Sequence, residues 1–196
     1  MLGDAQVEAL GTRGWFVWDG FLGEPPARAA LDELRAMDLR PAGISREGVL
    51  DPETRGDAIA WLDPEGAGPA LAALSARFVE LGRALTELAW LGLGRMEVQI
   101  ARYPGGGARY ARHRDAFRGS RASRRVTAIW YANPDWHPAH GGQLRLHPDA
   151  GESADVEPIL DRLVVFLSEK VEHEVLPAWA ERYAVTGWYY GKDVAA

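Results

Sequence analysis

The stretch RLVVFLSEKVEHEVLPAWAERYAVTGWYY, Arg162–Tyr190, packs three apolar runs between short charged turns. RLVVFLS and RYAVTGWYY are rich in β-branched and aromatic residues and read as strands, with EHEVLP as a shorter strand between them. His173 stands near the head of the middle run and Arg182 at the head of the last. Period-two alternation puts Arg182, Ala184, Thr186 and Trp188 on one face. An arginine on the inward face of an otherwise apolar strand is costly without a carboxylate partner. A bound dicarboxylate would supply one, because the guanidinium fork matches a carboxylate bidentately. A solvent-facing Arg182 paired with a surface acid is the competing reading.

Working outward, the same texture extends back to Gly94. MEVQIARY (Met96–Tyr103), RRVTAIWYAN (Arg124–Asn133) and QLRLH (Gln143–His147) are further strand-like runs, separated by Gly, Pro, Asn and Asp clusters. The first half differs. GWFVWDGFLG (Gly14–Gly23) reads as a strand closed by a turn. In PPARAALDELRAM (Pro25–Met37), Ala27, Ala30, Leu31, Leu34 and Met37 recur at helical spacing behind two prolines. A second helix is predicted from Pro69 to roughly Trp90, with Leu71, Leu74, Phe78, Leu81 and Leu85 as its apolar stripe. Pro41–Asp57 reads as a mobile loop and AIAWL (Ala58–Leu62) as a short strand. Two helices followed by a run of strands predict a mainly β chain with supporting α-helices, a sandwich or barrel.

The 196 residues suit a single domain able to bury its own core. With no cysteine, disulfides, thiolate metal sites and thiol nucleophiles are excluded. A net charge of −6 argues against general affinity for nucleic acid. No apolar run approaches membrane-spanning length, and the N-terminus lacks a basic region followed by a hydrophobic core; a cytoplasmic protein is the expectation.

The acidic average conceals a local reversal. Arg109, Arg112, Arg114, Arg118, Arg121, Arg124 and Arg125 fall within seventeen positions, around the run RYARHRDAFRG (Arg109–Gly119). On a strand, His113 and Asp115 of that run would share a face. By itself the pair is better read as a surface contact than as a metal site. His173 alters the balance, because sequence-distant strands meet at the mouth of a barrel. Two histidines and a carboxylate on one face of an octahedral ion form the facial triad of non-haem Fe(II) oxygenases, with positions left open. The other histidines carry less. His137 and His140 lie in the loop NPDWHPAHGG without a convincing carboxylate, and His147 reads as structural.

With HxD, a distal histidine and a following arginine in order, the chain resembles the Fe(II)- and 2-oxoglutarate-dependent dioxygenases. More narrowly it resembles the prolyl hydroxylase domain group, which includes the hypoxia-inducible-factor prolyl hydroxylases and bacterial relatives. The carrying stretches are DGFLG, RGDAIAWL, RYPGGGARYARHRD, VTAIWYANPDW, GGQLRLHP and the run from Asp155 to Tyr190. They span Gly14 to Gly191.

The resemblance implies a double-stranded β-helix (jelly roll) in one domain over 1–196, with helical support at about 1–93 and the β-helix at about 94–191. It implies Fe(II) held by His113, Asp115 and His173, and 2-oxoglutarate held at its distal carboxylate by Arg182 and the Tyr131 hydroxyl. Tyr103 would stand beside the metal, while Ile129, Leu144 and Thr186 would line the cosubstrate pocket. Trp188, Arg124 and Asp57 would face the substrate. The segment Pro41–Arg55 matches a loop that closes over substrate. Oxygen is the second cosubstrate and ascorbate an accessory reductant. The implied reaction is 4-hydroxylation of a prolyl residue in a protein, coupled to decarboxylation of 2-oxoglutarate to succinate and CO2. By the same resemblance, elongation factor Tu is the expected target if the chain is bacterial.

Two departures bear on the substrate: the chain stops soon after Tyr190, and Gly119–Ser123 is richer in arginine. Alternatives stay open. They are hydroxylation of a free amino acid or another side chain, or a non-catalytic metal- or ligand-binding β-barrel. The arginines fit a solvated face as well as a surface that recruits an acidic partner. A nucleic-acid demethylase would share the triad, but the acidic charge and the lack of interleaved aromatics oppose it.

Overall fold

A computed structural model of the chain describes residues 2–43, 50–51, 53–116 and 124–192. Helix α1 (Asp4–Thr12) leads into strand β1 (Trp15–Asp19), then helix α2 (Glu24–Arg35), β2 (Arg40–Pro41), β3 (Ala58–Trp61) and the long helix α3 (Pro69–Leu88). The remainder is β: β4 (Leu93–Tyr103), β5 (Ala108–His113), β6 (Arg124–Tyr131), β7 (Leu144–Pro148), β8 (Ala154–Val156), β9 (Arg162–Leu167), β10 (Val171–Ala178) and β11 (Arg182–Gly191). A seven-stranded sheet runs in the order β1-β9-β6-β11-β4-β3-β2, and a four-stranded sheet in the order β5-β10-β7-β8. All the pairings are antiparallel. The chain is mainly β and folds as a jelly roll.

The large sheet is covered on both faces, which explains why its central strands read as continuous apolar runs. On β6, Val126, Ala128 and Trp130 join the core shared with the three helices, whereas Ile129 and Tyr131 join the core between the sheets. β9 divides the same way, Leu163 and Val165 toward the helices and Val164 and Phe166 toward the small sheet. The helices therefore seal the outer face and leave the inner face to build a site.

Helix α1 escapes the sequence reading because only Leu10 among its nine residues is buried, so no apolar stripe marks it. Helix α3 stops at Leu88, short of Trp90, which adopts a left-handed φ of 57°. β4 begins at Leu93, earlier than predicted, and the short edge strand β8 has too few residues to show alternation. Before Leu93, β1 and β3 fall where strands were predicted and, with the two-residue β2, complete both edges of the large sheet. Within the predicted loop Pro41–Asp57, Pro41 pairs with Ala58 and Arg55 bridges to Tyr110; residues 44–49 and 52 lie outside the described residues.

Asp161 ties the two halves together. Its carboxylate accepts the backbone N–H groups of Leu22 and Gly23 and the indole N–H of Trp130, at 2.7–2.9 Å. Its own carbonyl receives the N–H groups of Gly20 and Phe21. The residue is buried and holds φ at 60°, a conformation that aspartate tolerates better than most residues. Asp161→Ala takes the acceptor from three donors at once, the buried Trp130 indole and two partly buried backbone N–H groups, and each bond to a charged group is worth about 1.5–3 kcal/mol. We expect a loss of at least about 3 kcal/mol, read as a melting-temperature drop of roughly 6–12 °C. A drop below a degree or two would mean that the strand-to-helix turn holds without it.

Candidate active site

A cavity of about 330 Å³ opens between the two sheets. His113 ends β5 and His173 lies on β10, and the two are register partners across that strand pair. Their rings stand 4.2 Å apart, with Phe166 against His173 at 4.7 Å. Asp115 lies in a bend two residues past His113, so strand alternation is not what unites the pair; the β5–β10 register and the bend do. His113 Nε2 is 3.7 Å from Asp115 Oδ1, and His173 Nε2 is 3.8 Å from Oδ2. One donor atom from each of the three lies within 4.8 Å of the others.

The protonation states suit a cation. Burial pushes the His173 imidazolium down to about 3, so the ring is neutral near pH 7. Burial alone would raise the Asp115 carboxyl, but the two imidazoles, Arg124 and the Trp188 indole outweigh it and hold it below the usual carboxylate value. His113 Nδ1–H donates to the Ala111 carbonyl at 2.9 Å, which leaves the Nε2 lone pair to bind. A neutral His173 ring, a His113 ring with Nε2 turned to the site and an ionised carboxylate fit a divalent ion of the Fe(II) type.

On the same inner wall, Arg182 is 1% exposed. Its Nε donates to the Gly142 carbonyl at 2.9 Å, and its guanidinium sits 4.9 Å from both the Tyr103 and Tyr131 ring centres. Gly142 permits this approach: it holds φ at +66°, and a Cβ there would meet Arg182 Cδ at 3.1 Å. Among the described residues no carboxylate pairs with Arg182. The buried Tyr131 hydroxyl likewise has no hydrogen-bond partner among them, and burial, opposed by Arg182, pushes its pKa up to about 12. A buried cation and an unpartnered phenol side by side fit a carboxylate ligand.

Of the twelve site residues read from the sequence, all but Tyr131 line this cavity, and Tyr131 lies beneath Arg182. Ile129 and Leu144 supply apolar wall, Thr186 and Trp188 extend the Arg182 face, and Arg124 stacks over the Trp188 ring at 3.8 Å. Asp57 is clamped by Arg55 through two bonds of 2.8 and 3.1 Å.

Arg55, Tyr110, Gln99 and Trp61 also line the cavity and were not singled out from the sequence. Arg55 reaches Gln99 at 3.2 Å and lies over the Tyr110 ring, which stacks on His113 at 3.9 Å. Gln99 shares the period-two face of Tyr103 on β4, a signal that was available. Arg55 and Tyr110 gave none, because their contact joins segments fifty-five residues apart.

Most of the described arginines of the 109–125 cluster pair with acids other than Asp115. Arg109 pairs with Glu53, Arg112 with Glu172, and Arg114 with Asp149 and Glu172. Among the described arginines of the cluster, Arg124 is the one that approaches Asp115, at 3.6 Å from Oδ1; Arg118 and Arg121 lie outside the described residues. His147 is structural, bonded to Ser153 and Glu174. His140 Nδ1 accepts the His137 N–H, which uses the lone pair a metal pair would need.

Residues 98–190 match the family described as the 2OG-Fe(II) oxygenase superfamily. Human Egl nine homolog 1 is 36% identical over 97% of this chain, which spans 47% of that protein's length. A crystal structure of a Pseudomonas putida prolyl-4-hydroxylase superposes with a TM-score of 0.86 at 40% identity, covering 95% of this chain and 97% of that one. A Trichoplax adhaerens prolyl hydroxylase, in complex with a peptide fragment of the hypoxia-inducible-factor oxygen degradation domain, gives a TM-score of 0.86 at 33% identity, with 95% and 88% covered. The chain belongs to the 2OG-Fe(II) oxygenase superfamily, and within it to the prolyl hydroxylase group. Fe(II) and 2-oxoglutarate are the cofactor and cosubstrate of that family.

Proposed function

We propose that this chain is a single-domain cytoplasmic dioxygenase that hydroxylates the 4-position of a prolyl residue in a protein. The observation that carries the reading is one cavity joining a two-histidine, one-carboxylate face to a buried arginine that no carboxylate among the described residues pairs with. His113, Asp115 and His173 would hold Fe(II). Arg182 and Tyr131 would hold the far carboxylate of 2-oxoglutarate, with Tyr103, Ile129, Leu144 and Thr186 around its body. With the ion and 2-oxoglutarate bound, O2 would be the oxidant, one of its atoms entering the target C–H bond and the other the carboxylate of succinate as 2-oxoglutarate loses CO2.

The protein's own work is positional. Ile129, Leu144 and Phe166 keep the metal side apolar and exclude water, while Trp188 and Arg124 form a flat cationic rim for the prolyl ring and its backbone. Asp57, fixed by Arg55, sets the opposite rim. A 330 Å³ cavity suits one side chain and a small cosubstrate rather than a folded surface. The peptide-bound relative supports a polypeptide substrate, and elongation factor Tu is the bacterial protein to test first.

The test incubates the protein with Fe(II), 2-oxoglutarate, ascorbate and oxygen, with elongation factor Tu or free proline as substrate. Succinate should form only with oxygen, in step with a gain of one oxygen atom on a proline-containing peptide located by mass spectrometry. Turnover of free proline alone would move the reading to a small-molecule hydroxylase. No succinate with any substrate would leave a binding barrel.

A further inference from the structure

Asp115 sits past the end of β5, and what orients it comes from other strands. Thr127 of β6 donates its hydroxyl proton to Asp115 Oδ2 at 2.8 Å, and the Trp188 indole N–H of β11 reaches the same oxygen at 2.8 Å. Oδ1 takes no hydrogen bond among the described residues; its neighbours are His113 Nε2 at 3.7 Å and an Arg124 nitrogen at 3.6 Å. The two oxygens are therefore unlike. One is saturated by donors and the other is left with its lone pairs.

A second hydroxyl stands behind the first. Ser168 Oγ is 2.9 Å from Thr127 Oγ1, and both residues are fully buried. A hydroxyl carries one proton. That of Thr127 is directed at the carboxylate, so Ser168 must donate into Thr127. The chain thus runs in one direction, Ser168 to Thr127 to Asp115. Ser168 is itself placed by its N–H to the Arg125 carbonyl at 3.0 Å, in the turn between β9 and β10 that also leads to His173.

We infer that Thr127 and Ser168 are positioning residues that hold Oδ2 of Asp115 and leave Oδ1 for the metal. This rests on the assignment of Asp115 as a ligand. Oδ2 also stands 3.8 Å from His173 Nε2, so its two donors are what would keep the carboxylate from turning to bind through both oxygens, and so preserve open positions on the ion. The packing of two small buried side chains would account for their burial but not for a directed chain that ends on one oxygen of the carboxylate.

Anaerobic Co(II) titration of the full chain, followed by its visible ligand-field bands, tests this without turnover. Thr127→Val keeps the shape and removes the donor; Co(II) affinity should fall roughly ten- to hundredfold, as for other outer partners of metal ligands, and the bands should shift. Thr127→Ser should restore the wild-type spectrum. Ser168→Ala should weaken binding by about threefold in the wild-type background and have no effect beside Thr127→Val, because the two act through one chain. Additive effects, or folded Thr127→Val and Ser168→Ala variants with wild-type affinity and bands, would overturn the inference while leaving the ligand set intact. A wild-type protein that binds no Co(II) would overturn the ligand assignment and this inference together.

Discussion

Replacing His173 by alanine is expected to abolish turnover while the fold survives. The ring is 4% exposed, packed against Phe166 and opposite His113 in the β5–β10 register, so no neighbouring side chain can take its place. Its loss leaves one imidazole and one carboxylate, too few to hold a divalent ion facially. Loss of an outer partner alone typically lowers metal affinity 10–100-fold, so loss of a ligand should exceed about a hundredfold. The stability change should stay within about 3 kcal/mol, the usual range for single substitutions, because the neutral ring carries no buried charge to strand. Calorimetric Fe(II) titration under argon, with circular dichroism on the same sample, separates the two effects. Unchanged metal binding in folded His173→Ala would remove this residue from the site.

Arg182→Ala should be nearly as damaging, through a different ligand. If the guanidinium holds the far carboxylate of 2-oxoglutarate, its removal leaves that carboxylate desolvated and unpaired. Breaking a buried charge pair typically costs about 3–5 kcal/mol, so 2-oxoglutarate affinity should fall at least roughly a hundredfold. Fe(II) affinity should hardly change, since the guanidinium is not a ligand. Arg182→Lys should recover part of the loss, with the charge restored but not the bidentate fork. The metal-to-ligand absorption band of the anaerobic Fe(II) protein reports 2-oxoglutarate binding directly. Equal affinities in wild type and Arg182→Ala would detach the cosubstrate from this wall of the cavity.

Both expectations depend on residues that were visible in the chain before any fold was known. Strand character from Met96 onward was legible because both faces of the large sheet are covered and its strands are densely apolar. The inward face of β11 was legible from period two alone, which is why Arg182, Thr186 and Trp188 line one wall as expected. Local rules see what local geometry causes.

Pairing across long sequence distances was not legible in that way. The approach of His113 to His173 is set by the antiparallel register of β5 and β10, and Asp115 joins them through a bend rather than through alternation. The partners of the arginines were equally hidden: charge density along the chain left a solvated face and a recruiting surface both open, whereas folding paired Arg109, Arg112 and Arg114 with surface acids and, among the described residues, brought Arg124 to the Asp115 carboxylate. The Ser168–Thr127–Asp115 chain joins the turn after β9, strand β6 and the bend after β5, and a hydroxyl carries no signature of the partner it will meet. Composition and periodicity, which depend on near neighbours, therefore determined the elements and the kinds of ligand present. Only the tertiary register decided which of them meet, because a hydrogen bond or ligand bond depends on ångström-scale distances between residues that the sequence leaves far apart.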